Sequence, residues 1–175
     1  MLDAAWASNA HDTWLEESEW LFAVRSVKIG NDASFSPEWG PAYGFSKPDD
    51  LVDVTGIYSD EYFQTPLVNY VTEVTHWVTD AQTIIYVQYV SNGASYGANM
   101  GAWPASFAKY VAAFLAFEIA PELKNDTNQK SIAAILMERE KEAKGKNGLK
   151  RPSRPAPSGN WVKARLQRGY SESGS

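Results

Sequence analysis

The fold is decided by residues 103–145, which read WPASFAKYVAAFLAFEIAPELKNDTNQKSIAAILMEREKEAKG. Pro104 suits the first turn of a helix, where its missing N–H costs nothing. Large apolar residues then recur at three- and four-residue spacing through an alanine-rich background: Phe107, Tyr110, Val111, Phe114, Leu115 and Phe117. This spacing predicts an amphipathic helix from Pro104 to Ala120 with one apolar face.

A second helix is predicted directly after the first. Pro121 ends the first helix, and Asn125-Asp126-Thr127 supplies side chains that can cap the next one. Gly145 is the predicted end of this second helix. Its apolar side consists of Ile132, Ile135, Leu136 and the stem of Arg139. Because a connection of about six residues brings two helices side by side, we expect an antiparallel helical hairpin.

The chain ahead of the hairpin is predicted to contain a first helix (2–19), a strand (20–29) and a small antiparallel sheet. Residues 34–48 are rich in Pro, Gly and aromatic residues, so they predict an ordered crossing loop that packs on the helices. The β-like segments after it are Leu51–Ile57, Leu67–Val74 and Thr83–Val90, with a turn at Thr79–Gln82. The predicted fold class is therefore α+β, an antiparallel helical hairpin with a β-sheet insertion at about 51–90 and an extended C-terminal tail.

Length and composition indicate one domain and a tail. A chain of 175 residues that is 44% apolar can build one real core, which we assign to residues 1–145, with the C-terminal tail at 146–175. The absence of cysteine excludes disulfides and thiolate metal sites and suits assembly in a reducing cytoplasm. No apolar run approaches the ~20 residues of a membrane span, so we expect no membrane partner and no export signal.

Charge is distributed unevenly along the chain. The formal net charge is −5, yet nine basic and only two acidic residues lie from Lys141 onward, while the first 140 residues hold seven basic and 19 acidic ones. An acidic body joined to a basic tail indicates that the two parts meet different partners. Like charge on a surface also keeps other polyanions from adhering, although an ordinary solvated surface accounts for the acidic body as well.

The C-terminal tail has a composition that cannot bury enough surface to fold alone. Three prolines within residues 152–157 predict an extended, polyproline-like segment. A single indole among basic residues, at Trp161, is typical of an interface anchor. The candidate partner-binding residues are Arg151, Arg154, Trp161, Val162, Lys163, Arg165 and Arg168. The alternatives are a solubilising end without a partner and a set of basic residues that grips nucleic-acid phosphates.

Two stretches ahead of the hairpin form an ordered pair of motifs, Trp20-Leu21-Phe22-Ala23-Val24-Arg25 and the segment from Trp39 to Asp50. Together with the helix pair they resemble the head-to-tail adaptor of tailed bacteriophages, the tail tubular protein A type. In that family a helix ends in a Trp-Asn-Phe-Ala-like motif before a basic residue, and a Trp-x-x-Ala-Tyr stretch runs into Pro and Asp. The matching residues are Phe22, Ala23, Arg25, Trp39, Ala42, Tyr43, Pro48 and Asp50, whereas Leu21 stands where the family usually has Asn.

The resemblance, which covers about residues 1–145, implies a structural virion protein without a cofactor. Such an adaptor forms a ring, typically of about twelve copies, at the neck of the virion. Its implied partners are the portal protein, the nozzle or tube protein of the tail, other copies of itself, and genomic DNA that passes through without sequence-specific binding. Family members usually have more chain ahead of the first helix, so we expect that helix to be shortened here.

Other classes of protein are less well supported by the residues. The sequence shows no nucleophile elbow or phosphate loop, and His11 and His76 have no second ligand at metal spacing, so we do not expect an enzyme. Asp12, Glu16 and Glu19 resemble a carboxylate set, but helix surfaces are normally this acidic. A non-catalytic module that binds a carbohydrate or protein ligand is the alternative, because 13% of the residues are aromatic.

Overall fold

The computed structural model describes residues 10–38, 40–80, 83–121 and 126–151, without the side chains of residues 10, 11 and 126–128. Helices and antiparallel sheets both occur in this part of the chain, so the predicted α+β class is confirmed. None of its helices has the length and apolar character that crossing a bilayer requires. The predictions for residues 2–9 and for the tail after Arg151 fall outside the described residues.

Among the described elements, one helix precedes the strands and two helices follow them. The helices are α1 (Ala10–Glu16), α2 (Ala105–Ile119) and α3 (Asp126–Leu149), with a 3₁₀ turn at Met100–Ala102. The strands are β1 (Val24–Gly30), β2 (Tyr43–Ser46), β3 (Leu51–Tyr58), β4 (Val71–Thr72), β5 (His76–Thr79) and β6 (Ile84–Ser91).

The strands form two antiparallel sheets, in the orders β1-β6-β3 and β2-β5-β4. Strand β6 is central in the first sheet, and Val87 lies opposite Val27 of β1 and Ile57 of β3. Its run of β-branched and aromatic residues predicted this strand to within one residue at each end. The sequence had predicted a single small sheet, whereas the structure contains two.

Two apolar cores share strand β6. The core between the sheets contains Phe45, Ile57, Trp77, Ile85, Val87 and Tyr89. The core under the helices contains Trp14, Leu15, Trp20, Ala23, Val90, Phe107, Tyr110, Val111 and Ala143. Because successive side chains of a strand point to opposite faces, Tyr89 enters the first core and Val90 the second. Strand β6 therefore holds the β-rich part and the helical hairpin together.

The helical hairpin is antiparallel, as predicted. Pro104 and Phe107 at the start of α2 line the same cleft as Ala143 and Asn147 near the end of α3. Pro104 itself is the N-cap residue, one position before the helix. The apolar face of α2 is buried through Phe107, Tyr110 and Val111, as its spacing predicted. On α3, Ile135 is 49% exposed, so its predicted place on the packed face is wrong.

Helix α3 does not end at Gly145 but continues to Leu149. A glycine inside a helix costs only about 1 kcal/mol relative to alanine, and here neighbouring contacts offset that cost. Lys144 Nζ lies 2.6 Å from Glu140 Oε1, and Lys146 Nζ lies 2.6 Å from Glu142 Oε1, which are helix-stabilising i,i+4 pairs. The first residues of the predicted C-terminal tail therefore belong to the hairpin.

The segment 34–48 was predicted to pack on the helices, and this is wrong. Its residues Tyr43–Ser46 form β2, which pairs with β5, and Phe45 is fully buried between the sheets. Gly44 permits this arrangement, because a Cβ there would lie 2.1 Å from the ring of Phe35. That ring in turn stacks on His76 at a centroid distance of 4.0 Å.

Three further strand boundaries differ from the predictions. Residues 20–23 form a turn before β1, closed by a hydrogen bond from Ala23 N to Trp20 O of 2.9 Å. Within 67–74 only Val71–Thr72 form a strand. Thr79, predicted in a turn, is the last residue of β5. Its buried hydroxyl donates to Asn69 O at 2.6 Å, a contact with a distant residue that the local sequence does not show. Residues 81 and 82 lie outside the described residues.

Candidate functional site

The residues from which the C-terminal tail leaves the body are fixed on the loop between α1 and β1. Asn147 Nδ2 donates to Glu19 O at 2.8 Å, and Leu21 N donates to Asn147 Oδ1 at 3.0 Å. One amide side chain thus satisfies two backbone groups 126 residues or more away in sequence. We call residues 19–21 and 147–151 the tail base.

Arg151 completes the tail base. Its guanidinium forms an ion pair with the carboxylate of Glu19, and Nη2 also lies 3.3 Å from Glu19 O. Both side chains are about one-third or more exposed, so the pair adds little stability. Its effect is geometric, because two contacts to one residue hold the Arg151 side chain against the loop between α1 and β1.

Three basic residues of α3, Arg139, Lys144 and Lys146, are paired with acids. Lys144 Nζ bonds both Glu140 and Glu17, at 2.6 and 2.9 Å. Burial by itself would lower the pKa of Lys144, but these two hydrogen bonds outweigh it and the pKa is raised. Hydrogen bonds from Lys146, and then from Arg139, lower the pKa of Glu142.

Two clefts flank Leu21 at the tail base. The first, which we call the hairpin cleft, is lined by Trp20, Leu21, Phe22, Pro104, Ser106, Phe107, Ala143, Lys146, Asn147 and Lys150. The second, which we call the sheet cleft, is lined by Glu19, Leu21, Val24, Thr55, Tyr58, Gln88 and Arg151. The hairpin cleft has an aromatic floor and a basic rim, whereas the sheet cleft mixes apolar and polar side chains.

Of the predicted partner-binding residues, only Arg151 belongs to the described part of the chain, and it lies on the rim of the sheet cleft. The others lie outside the described residues: Arg154, Trp161, Val162, Lys163, Arg165 and Arg168. Asn147 was not predicted as a functional residue, because its position in a lysine-rich stretch gave no sign of its contacts. The helix was predicted to end at Gly145, so the residues of the tail base were assigned to the tail.

A largely buried carboxylate, Asp50, connects the two motifs quoted above. Its Oδ2 accepts hydrogen bonds from Arg25 Nη1 at 2.8 Å and from Ser91 Oγ at 2.5 Å, and its Oδ1 accepts one from Tyr89 OH at 2.9 Å. The guanidinium of Arg25 also lies over the ring of Tyr96, 5.5 Å from its centroid. Arg25 of the first motif and Asp50 of the second are therefore direct partners.

The protonation of this cluster follows from its contacts. Burial alone would raise the pKa of Asp50, but the hydrogen bonds from Ser91, Arg25 and Tyr89 outweigh it, so the pKa lies below its ordinary value. Burial, and then the hydrogen bond to Asp50, raise the pKa of Tyr89. At neutral pH the cluster consists of an ionised carboxylate, a guanidinium and a neutral phenol, which is a structural arrangement of complementary charge.

Ser46, His76 and Asp32 lie close together but not in the geometry of a hydrolase triad. Both Ser46 Oγ (3.2 Å) and Asp32 Oδ2 (3.4 Å) approach His76 Nε2, and Thr75 Oγ1 lies 2.8 Å from Nδ1. A triad requires the serine and the carboxylate on different ring nitrogens. Hydrogen bonds from Ser34, and then from Ser46 and His76, lower the pKa of Asp32. The contact of Asp32 with Ser46 connects the loop after β1 to β2.

The acids that resembled a carboxylate set serve separate purposes. Asp12 Oδ1 accepts from Asn92 Nδ2 at 2.9 Å, whereas Glu19 is paired with Arg151 and Glu16 is exposed. Among the described residues, no group of three or more His, Cys, Asp and Glu side chains is arranged to hold a metal ion.

The chain matches neither any model of a known protein family nor any curated protein.

Proposed function

We propose that this chain is a structural head-to-tail adaptor of a tailed bacteriophage. In this proposal it forms a ring of about twelve copies that joins the portal to the tail and encloses part of the channel for DNA ejection. The body, comprising the hairpin and the two sheets, makes the ring, and the basic tail binds the portal. Genomic DNA passes through the channel without base-specific contacts.

The observation that carries this proposal is the contact between Arg25 and Asp50. These residues were singled out in two motifs that are 25 residues apart in sequence, and they meet at 2.8 Å around one carboxylate. Ala23, from the first motif, is fully buried and accepts a hydrogen bond from Ser91 N, next to the same cluster. A pair of motifs that builds one contact supports the resemblance better than either motif alone.

Exposed apolar side chains on the body supply candidate surfaces for neighbouring copies. Ring formation requires two different surfaces on each subunit that complement each other. Large apolar residues are strongly exposed both in the β-rich part and on α3, and they include Tyr62, Val68, Val74, Met137 and Leu149. Residues of this kind on both parts give the subunit two separate places at which an apolar contact to a neighbouring copy can form.

The tail is proposed to bind the portal through Trp161, with Val162 and the basic residues Arg154, Lys163, Arg165 and Arg168 beside it. An indole that fills a pocket on the partner commonly accounts for about 2–4 kcal/mol. Arg151 has a different proposed role, because its pairing with Glu19 orients the tail instead of leaving the guanidinium free. The repeated contact around a ring then multiplies a modest single affinity.

The proposal is tested by replacing Trp161 with alanine in the full chain. We expect attachment to portal-bearing capsids in co-sedimentation to weaken by at least about thirtyfold, because each copy loses about 2 kcal/mol or more. The thermal midpoint of the free protein should not change. Tyr170→Ala is the matched control, since it removes an aromatic ring outside the proposed anchor. Equal attachment of both variants would contradict the assigned role of Trp161.

The carbohydrate- or protein-binding module remains the second hypothesis from the sequence, and the described rings give it little support. Trp14, Trp20 and Trp77 are each 1% exposed and belong to the two cores. Sugar recognition by stacking needs accessible ring faces, whereas these rings contribute packing. A glycan-array screen should therefore show no binding.

A further inference from the structure

The sheet cleft has the size and lining of a peptide-binding groove. It encloses about 510 Å³ between the tail base and the outer side of the sheet β1-β6-β3. Leu21, Val24 and Tyr58 provide an apolar wall, while Thr55 and Gln88 provide polar groups at its base. Grooves of this volume that combine apolar walls with a few polar groups are typical ligand sites.

One polar group in this cleft lacks a partner. Thr55 Oγ1 is buried and makes no hydrogen bond to any described residue. Buried hydroxyls in native proteins are nearly always paired with protein or ordered water, so this hydroxyl is available to a further partner. A backbone carbonyl of an extended segment would supply such an acceptor.

The chain continues from this place with a segment whose composition favours polyproline II. The described residues end at Arg151, which lines the sheet cleft and is held there by Glu19. The next residues are Pro152-Ser153-Arg154-Pro155-Ala156-Pro157. A polyproline II segment leaves its carbonyls unpaired, loses little entropy on docking, and rises about 3.1 Å per residue. Its typical binding sites are grooves with aromatic and apolar walls.

We propose that residues 152–157 lie in the sheet cleft of the same molecule. Thr55 Oγ1 then donates to a carbonyl of this segment, and its prolines pack on Leu21, Val24 and Tyr58. Charge favours this cleft over its neighbour, because Lys146 and Lys150 line the hairpin cleft and would repel the basic segment. In the lining of the sheet cleft, by contrast, the guanidinium of Arg151 is paired with the carboxylate of Glu19.

The consequence is that the tail starts in a fixed direction. The residues after the proline segment, together with the side chain of Arg154 on the side of the segment away from the cleft, would then be free to reach a partner, and they would do so from the face of the sheet. This inference concerns the free chain and holds whether or not the protein forms a ring.

The absence of natural cysteine allows a clean cross-linking experiment on the full chain. Gln88→Cys in the sheet cleft is combined with Ala156→Cys, and the rate of disulfide formation is measured under mild oxidation. The matched control combines Ser106→Cys, in the hairpin cleft, with the same Ala156→Cys. Both clefts adjoin the tail base, so an undocked tail would give comparable rates through its tether alone.

We expect the pair at 88 and 156 to form an intramolecular disulfide about tenfold faster than the pair at 106 and 156. Equal rates, a faster reaction at 106, or disulfide-linked dimers would each overturn the proposal. The last two outcomes would place the segment in the hairpin cleft or on a second copy.

A second measurement avoids cysteine variants altogether. NMR relaxation of the unmodified full chain should give the backbone amides of Ser153, Arg154 and Ala156 order parameters near about 0.8, the value typical of rigid backbone, against less than about 0.6 for a flexible chain. Thr55→Val keeps the shape of the side chain but removes the hydroxyl, and should lower these order parameters. Values below about 0.6 in the unmodified chain would overturn the docking, and unchanged values in Thr55→Val would overturn the contact assigned to Thr55.

Discussion

Replacing Asp50 by asparagine should lower the free energy of unfolding by about 2–3 kcal/mol. The carboxylate accepts from Arg25, Ser91 and Tyr89 at 2.8, 2.5 and 2.9 Å. Hydrogen bonds to a charged group contribute about 1.5–3 kcal/mol, and neutral ones about 0.5–1.5 kcal/mol, so each of the bonds to Ser91 and Tyr89 loses about 1 kcal/mol. The bond to Arg25 adds less, because that guanidinium is 38% exposed.

The change can be measured by urea unfolding followed by circular dichroism. We expect the midpoint to fall without a change in the denaturant slope, together with a fall in the thermal midpoint of about 5–10 °C for a chain of this size. Asp49→Asn is the matched control, because it removes the same charge from the exposed neighbouring position. If Asp50→Asn and Asp49→Asn agree to within about 0.5 kcal/mol, the carboxylate does not stabilise the junction of the motifs.

The effect of Asp50→Asn should also depend on pH with a defined sign. The pKa of Asp50 in the folded protein lies below its ordinary value of 3.8, so its contribution is fully present above that value. As the pH falls below 3.8 and through the folded pKa, the carboxylate is protonated and the contribution is lost. The stability difference between the unmodified chain and the variant should therefore be constant near neutral pH and shrink below about pH 4. A difference that grows on acidification would refute this assignment.

The remaining predictions concern packing and the tail base. Gly97→Ala should lower the free energy of unfolding in urea by about 2–3 kcal/mol, because the added Cβ would lie 2.4 Å from Ser91 O. In the control Gly30→Ala nothing lies within 4 Å of the added Cβ, so the free energy of unfolding should change by less than about 0.5 kcal/mol. Asn147→Ala should cost about 1–2 kcal/mol by the same measurement, because two hydrogen bonds to the tail base are lost. In amide exchange, residues 111–118 of α2 should be among the slowest amides, and rates equal to those of the tail would contradict the central role of the hairpin.

The elements that could be predicted were those in which a single periodic pattern also determines the packing. The apolar spacing of α2 matches its buried face, and the run of β-branched and aromatic residues in β6 marks a central strand. Both patterns are strong because the apolar residues that form the pattern are the residues that other elements cover in the folded chain. The exposed Ile135 shows the limit, since an apolar position on a helix need not meet a neighbour.

The elements that could not be predicted depend on contacts between distant residues. Gly44 lies in a strand because the Phe35 ring occupies the space of a side chain, and only the folded chain shows that approach. Helix α3 passes Gly145 because acid–base pairs and Asn147 hold its last turns, which outweighs the local preference for a stop. At the candidate site, the composition of the tail suggested an interface, but the pairing of Arg151 with Glu19 required the structure.

The central claim, that the chain is a ring-forming adaptor bound to a portal, is tested most directly by native mass spectrometry of the purified chain mixed with purified portal rings of the same phage. An adaptor of this kind should give a discrete complex with a fixed integer number of chains per portal, about twelve, and no comparable binding when the chain ends at Arg151. That truncation keeps the complete tail base, so its folding can be verified by its thermal midpoint. A chain that stays unbound at micromolar concentration, or that binds in variable numbers, would contradict the account.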